Sequence, residues 1–325
     1  LANGEPLRML GLDQNFDFPT LYFAQLKRYK ERIKFEKLNY ELIQKNLEQQ
    51  LALGFLKYQY AQKKKEIFSV IDTLYTNFSH AAARRFELGE TNYLEKITAR
   101  ARQRELKLEL KKAETEVSLS YTGLLKIIQV EEDLQIAPVP LKKIEITRLG
   151  IDQHVLKQLY EQRISLAKVE TSVEKQRLLP GITFSYFRGL NEDINDHLSG
   201  YQAGLRIPLL FSGNAARIKA AKIATEIASE EARQYDLLLE TQYLQLLKEM
   251  EQHEDALSYY EEEGSELSEE ILRTANLSYQ NGEIDSFQYI ISLENAYRIR
   301  LSYLETLYAY NQTVIAINQL MIIEP

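Results

Sequence analysis

The chain has 325 residues, 45% hydrophobic and 27% charged, enough apolar side chain for an ordered protein and not the composition of a disordered one. Cys is absent and the net charge is −7. The first excludes disulfides, thiolate metal sites and cysteine catalysis within this sequence, and the second argues against a phosphate-binding surface, so no nucleic acid is expected as a partner.

Gly (13) and Pro (7) are scarce, where average usage gives about 23 and 16. Breakers are therefore rare, and long helices are expected. No apolar run approaches the ~18 residues of a membrane helix, and Leu1–Leu10 lacks a basic-then-apolar signal pattern.

Taken in chain order, the first element is a strand at Arg8–Phe18. Leu10, Leu12, Phe16 and Phe18 alternate with Gly11, Asp13, Asn15 and Asp17, with Gln14 as the exception, which is a period of two. From Pro19 to Leu88 the only Gly is Gly54 and there is no Pro. That predicts a near-continuous helix of ~70 residues, roughly 100 Å at 1.5 Å per residue. Gly89 then supplies a left-handed turn and Asn92 a cap for a returning helix. Glu131–Gly150, with Pro138 and Pro140, breaks the pattern. A helix at about Asp152–Leu179 ends at Pro180, before two strands at Ile182–Arg188 and Tyr201–Ile207 joined by the polar segment Gly189–His197.

Pro208 opens a second long helix, expected to reach Tyr279 with only Gly213 and Gly264 inside it. Its apolar seam steps by four and three through Leu239, Tyr243, Leu246, Met250, His253, Leu257, Tyr260, Gly264, Leu267 and Ile271, a coiled-coil pattern. Gly282 and Asp285 repeat the turn and cap. The last helix carries two seams, Leu293, Ala296, Arg300, Tyr303, Leu307, Tyr310, Val314, Ile317 and Met321, and Tyr297, Leu301, Leu304, Tyr308 and Ile315, so it is expected to touch more than one neighbour.

These landmarks occur twice. Pro19 and Pro208 lie 189 residues apart, Gly89 and Gly282 lie 193 apart, and a unit written twice has to be recognised before any fold is assigned. The repeats are expected at 1–135 and 151–325, with 136–150 as linker. The first is expected to lack its opening helix and first strand.

The ordered set resembles the TolC family of outer-membrane efflux proteins. It comprises the helix-to-strand join Arg177–Phe184, the strand-to-helix join Leu205–Gly213 and the tips Arg85–Gly89 and Leu277–Gly282. The resemblance implies a mainly α fold of very long coiled-coil helices in a duplicated helix–strand–strand–helix unit, with a few membrane β-strands. It further implies a homotrimer in outer-membrane lipid of a Gram-negative bacterium, with a helical barrel in the periplasm and no cofactor. A periplasmic adaptor would dock on the tips, through Phe86, Leu88, Gly89, Glu90 and Thr91 in the first and Tyr279, Asn281, Gly282, Glu283 and Ile284 in the second. An inner-membrane pump of the resistance-nodulation-division type would feed the duct. Two positions depart from the family. Acidic residues that narrow the pore of family members fall six and nine places after the second tip glycine, and here these are Gln288 and Ile291. Three strands stand where a family protomer supplies four, so three copies offer nine. The chain is accordingly expected to be an N-terminally truncated piece that does not close the native channel by itself.

Any helical hairpin needs a turn glycine and a cap, so Gly89, Asn92, Gly282 and Asp285 are explained without docking. Exposed apolar residues at an apex, Leu88 and Ile284, are not. His80, His154, His197 and His253 are far apart in sequence, and the acidic loop around His197 (Glu192, Asp193, Asp196) reads as a solvated loop rather than a metal site. No phosphate loop, GxSxG or HExxH motif is present, so no enzyme is expected. The reading that competes with a duct is a periplasmic helical-hairpin adaptor or scaffold. Adaptors flank their hairpins with many short strands, whereas here strands interrupt the helices twice in a regular order.

Overall fold

The structure is a computed structural model that describes residues 8–130, 134–137, 139–147, 154–191, 196–208 and 211–319. Strand β1 (Arg8–Phe16) leads into α1 (Pro19–Glu87), a helix of 69 residues, and α2 (Tyr93–Ile128) returns from it. After the proline-containing segment come α3 (Val155–Gln176), β2 (Gly181–Asn191) and β3 (Asp196–Arg206). The second long helix is α4 (Phe211–Tyr259), a π turn (Tyr260–Gly264) and α5 (Ser265–Gln280), and α6 (Ser286–Gln319) returns from it. Both long helices expected from the scarcity of breakers are therefore present.

The chain forms two compact units, Leu1–Ile43 with Asp152–Leu238 and Gln44–Ile151 with Leu239–Pro325. Each takes sequence from both sides of the 136–150 segment.

In the first unit the strands form one antiparallel sheet in the order β1-β2-β3. β1, expected without a hairpin partner, pairs along β2 from Arg8↔Leu190 to Phe16↔Ile182, and β3 pairs along the other edge of β2. Helix α3 is held on two sides. The Gln162 amide donates to the Glu31 carboxylate of α1 at 2.7 Å, Arg163 pairs with Glu231 of α4, and Tyr160 stacks on Tyr235 with ring centroids 4.8 Å apart. Two neighbours explain why Ala167, Val169, Thr171 and Val173 are all buried, a spacing that a single apolar stripe does not produce.

The second unit has two apolar clusters. In one, Phe68, Ile71, Tyr75 and Phe78 of α1 pack with Tyr289, Ile290, Leu293 and Tyr297 of α6. In the other, Leu257 of α4 meets Leu307, Tyr310 and Val314 of α6. The double seam expected on α6 is present, since Leu293, Ala296, Leu307 and Tyr310 are buried on one line and Tyr297, Leu304 and Ile315 on the other. Met321 lies outside the described residues.

The seam expected along α4 and α5 needs a correction. Leu267, placed on it by the 4-3 steps, is 43% exposed, whereas Ser268 and Ala275 are buried. The π turn inserts one residue into the helical repeat, so beyond Gly264 the buried line moves one position later. The buried Ser268 hydroxyl is satisfied by donating to the Ala296 carbonyl and accepting from Arg300 Nε.

The linker is also more than a connector. Its stretch 139–147 lies along α6 as an extended strap, with Leu141 and Ile144 against the second cluster. Two asparagines seven residues apart on α6 bind it as peptide mimics. The buried Asn311 side chain accepts from Ile144 N–H at 2.8 Å and donates to the Lys142 carbonyl at 2.8 Å. Asn318 does the same for Thr147 N–H at 2.6 Å and the Glu145 carbonyl at 3.1 Å. Lys143 adds an ion pair to Glu254.

Replacing Asn311 by Ala leaves two strap groups unpaired against the helix, at about 1–3 kcal/mol. Asn311→Ala is expected to lower the urea midpoint and to open the strap to protease between 142 and 147. Asn318→Ala, at a more exposed position, should have the smaller effect in the same two measurements.

Candidate functional site

The two hairpin tips are built alike from their backbone upward. Gly89 has φ +75° and Gly282 φ +74°, the left-handed region that a Cβ strains. At the first, Gly89 N–H bonds the Phe86 carbonyl and Glu90 N–H the Arg85 carbonyl. At the second, Gly282 N–H bonds the Tyr279 carbonyl and Glu283 N–H the Ser278 carbonyl. Both are Schellman closures of a helix C-terminus. The returning helices then start on side-chain caps. Asn92 Oδ1 accepts from Glu95 N–H at 2.9 Å. Asp285 Oδ1 accepts from Gln288 N–H at 2.7 Å, while Gln288 Oε1 accepts from Asp285 N–H at 3.3 Å, a reciprocal capping box. Gln288, one of the two positions that depart from the family's pore acids, thus serves the cap.

Of the tip residues picked out in sequence, Leu88, Gly89, Glu90, Asn281, Gly282 and Glu283 are exposed, and Phe86, Thr91, Tyr279 and Ile284 are half-buried. Ile284 corrects an expectation, since it packs against the cluster of Phe78 and Tyr289 and is not an exposed apex residue. Phe86 lies near Tyr93 with centroids 5.7 Å apart and has Lys96 over its ring. Exposed apolar residues that sequence reading missed take the apex role alongside Leu88. They are Tyr93 and Leu94 on the first tip and Leu277 and Phe287 (68% exposed) on the second. Phe287 could have been found by counting from the Asp285 cap, because its neighbour Tyr289 takes the buried position.

The tips are joined by a polar triangle. The Tyr279 hydroxyl donates to Glu95 Oε1 at 3.0 Å and accepts from Arg85 Nη1 at 3.2 Å, and Arg85 Nη1 lies 3.4 Å from the same Glu95 oxygen. The Thr91 hydroxyl donates to the other Glu95 oxygen. Tyr279 stacks on Tyr289 at 4.5 Å and meets Phe78 at 5.5 Å, so the bonds sit against an apolar wall. Burial pushes the Tyr279 hydroxyl up to about 12, and the bond to that hydroxyl, above all, raises Arg85. The Tyr279 hydroxyl and the Arg85 guanidinium therefore keep their protons throughout the neutral range. Because the folded hydroxyl titrates above its ordinary value near 10, its contribution is complete below pH ~10 and is lost as pH rises towards 12.

No other chemistry gathers at the tips. Among the described residues no group of three His, Asp or Glu side chains is placed to hold a metal, and the side chains of the loop at Glu192–His197 lie outside them. Among the described residues no helix is long and apolar enough to cross a membrane.

The sheet supplies a second surface with two unlike faces. Its register puts Leu10, Leu12 and Phe16 of β1, Ile182, Phe184 and Tyr186 of β2, and Tyr201, Ala203 and Leu205 of β3 on one face. Among the residues whose side chains are described, that face is apolar apart from Gln14, Arg188 and Ser199, and it is uncovered, with Leu10 84% exposed. The opposite face carries Gly11, Asp13, Asn15, Thr183, Ser185, Gln202 and Arg206, with Phe187 lying over Gly200. Arg206 pairs with Asp17 at its end. A sheet of a globular protein hides its apolar face, and this one presents it.

No protein-family model matches the chain, and no curated protein is similar to it. Solved structures are. CusC, described in terms of folding and transmembrane channel formation, superposes with a TM-score of 0.83 at 15% identity over 96% of this chain and 77% of CusC. The CmeC outer membrane channel of Campylobacter jejuni gives 0.80 at 13% identity over 95% of this chain and 69% of CmeC. The MtrE outer membrane channel of Neisseria gonorrhoeae, solved in its open state, gives 0.75 at 13% identity over 97% and 80%. The chain has the fold of these channels, which is the TolC-like fold expected from the ordered joins and tips.

The triangle is testable as a unit. A double-mutant cycle between Tyr279→Phe and Glu95→Ala is expected to give a coupling of about 1–2 kcal/mol in unfolding experiments at pH 7. A coupling near zero would show that the hydroxyl and the carboxylate act separately.

Proposed function

We propose that the chain is an outer-membrane channel subunit of a tripartite efflux system. It is a passive exit duct for substrates delivered by an inner-membrane pump of the resistance-nodulation-division type through a periplasmic adaptor. The observation that carries this reading is the two-faced sheet. Strands of 9 and 11 residues have the length a tilted strand needs to cross hydrocarbon, and alternation of apolar and polar residues suits a wall with lipid outside and water inside. A wall in lipid must close, because unpaired backbone groups there cost several kcal/mol each. Closure therefore calls for further copies, three in the family this chain resembles.

In this reading the tips receive the adaptor. Leu88, Leu94 and Phe287 give it exposed apolar anchors, and the two left-handed glycines set the shape it grips. Opening the duct means parting the tips, so the Arg85–Glu95–Tyr279 triangle holds the shut state. An adaptor opens it only by binding the parted arrangement more tightly than the shut one. Transport asks no bond-making of the chain, which assigns no residue to catalysis. The adaptor reading of the chain itself finds no support, since an adaptor has no use for a sheet with an outward apolar face.

Replacing Gly89 or Gly282 by Val strains the turn by ~1–3 kcal/mol and moves the apex residues. Each variant is expected to reach the outer-membrane fraction and to lower export at least tenfold in a cell-based efflux assay. Unchanged export with both variants in place would remove docking from the tips.

A further inference from the structure

The second unit contains a cleft of about 690 Å³, a size that suits a small organic molecule. Helix α6 supplies the buried part of its lining, Tyr297, Leu304 and Leu307. Val70 of α1, Leu141 of the strap and Tyr260 of the π turn contribute from three other segments. The π turn shapes this place, because a Cβ on the buried Gly264 would meet the Tyr260 ring at 3.0 Å and Ile299 at 3.5 Å. Such turns recur at functional sites.

The charges of the cleft are matched among themselves. Lys63 pairs with Glu66 at 2.7 Å. Arg300 donates from Nε to the Ser268 hydroxyl and lies 3.7 Å from Glu269. Glu261 accepts from the Tyr303 hydroxyl at 3.5 Å and shares the Lys143 charge with Glu254. The Tyr260 hydroxyl bonds Ser302 at 2.5 Å.

One polar group in the lining stands apart. Among the described residues, the Tyr297 hydroxyl is buried with no hydrogen-bond partner, and Tyr297 as a whole is 4% exposed. Leaving a buried hydroxyl unpaired is unfavourable, so a molecule that pairs it gains more than one that meets a group already bonded. The Arg300 charge, part of the same lining, reaches that hydroxyl. Burial nevertheless pushes Tyr297 up to about 12, so the hydroxyl keeps its proton at neutral pH and is a donor there.

We infer that this cleft binds a small neutral organic molecule with an apolar body and one carbonyl, whose oxygen accepts from the Tyr297 hydroxyl. Its body lies on Leu304 and Leu307 and against the rings of Tyr260 and Tyr303, which meet edge-on with centroids 6.0 Å apart. A charged ligand fits less well. It would have to break the Lys63–Glu66 or Arg300–Glu269 pair, or be desolvated over the leucines without a partner. The cleft lies within one unit of one chain, so the inference does not depend on the duct reading.

Benzophenone is both a ligand of this class and a photolabel, since on irradiation its carbonyl carbon bonds to a C–H group in contact. The purified full chain in a non-ionic detergent is irradiated with it, and adducts are mapped by peptide mass spectrometry relative to adducts elsewhere on the chain. Labelling is expected on α6 between Tyr297 and Leu307 or on Leu141. Tyr297→Phe keeps the ring in its cluster with Phe68 and Tyr75 and removes no bond within the chain. It is expected to reduce that labelling roughly fivefold, the worth of one hydrogen bond, with the urea midpoint unchanged or raised. Val70→Trp, which fills the cleft from its exposed side, is expected to abolish the labelling. The anion 4-benzoylbenzoate and the cation 4-benzoylbenzylammonium should label this stretch more weakly than benzophenone does. No adduct there in the natural chain, or equal labelling of Tyr297→Phe, overturns the inference. So does equal labelling by either charged probe, or a lowered urea midpoint for Tyr297→Phe, which would mean that the hydroxyl already has a partner.

Discussion

Every apolar face of a chain has to be covered by something, and α1 keeps Phe23, Ile33, Tyr40 and Ile43 exposed in the single chain. A globular domain wraps its helices in other elements. Here α6 is buried along two lines, α3 is held from two sides, and α2 and α5 each keep a patterned face open. The structure follows from how each face finds its cover: a neighbouring helix for the inner seams and the 139–147 strap for part of α6. The apolar face of the sheet is left without such cover in the single chain, with Leu10, Leu12, Tyr201 and Leu205 exposed.

Much of this was legible because it obeys one-dimensional rules. Scarce Gly and Pro predicted the long helices. The paired landmarks Gly89 and Gly282 predicted two hairpin tips, and both have the left-handed glycine. The turn glycines were legible for a strict reason, namely that a left-handed residue followed by Asn92 or Asp285 leaves little else for the backbone to do. Alternation located all three strands. It set β1 two residues too long, and it stopped short on β2 and β3 where Gly189, Asn191 and Ser199 interrupt the pattern.

What was not legible depends on contacts between distant residues. The π turn at Tyr260–Gly264 moved the buried line from Leu267 to Ser268, and a heptad count has no means of registering an inserted residue that keeps the helix intact. Asn311 and Asn318 read as ordinary polar positions on a helix until the strap lies beside them. The triangle at the tips draws Arg85 and Glu95 from one helical hairpin and Tyr279 from the other, and no spacing rule relates them. Ile284 looked like an apex residue because its neighbours are polar, yet the cluster of Phe78 and Tyr289 lies under it. In each case the missing information was which surface would be adjacent.

The central claim is that the sheet separates lipid from water, and the absence of Cys makes each face separately addressable. Single cysteines at Leu12 and Leu205 on the apolar face, and at Asp13 and Gln202 on the polar face, would carry a fluorophore in membranes containing lipids with quenchers on their acyl chains. The account predicts strong quenching from Leu12→Cys and Leu205→Cys and little from Asp13→Cys and Gln202→Cys. Equal quenching at all four positions, or none at any, would contradict it.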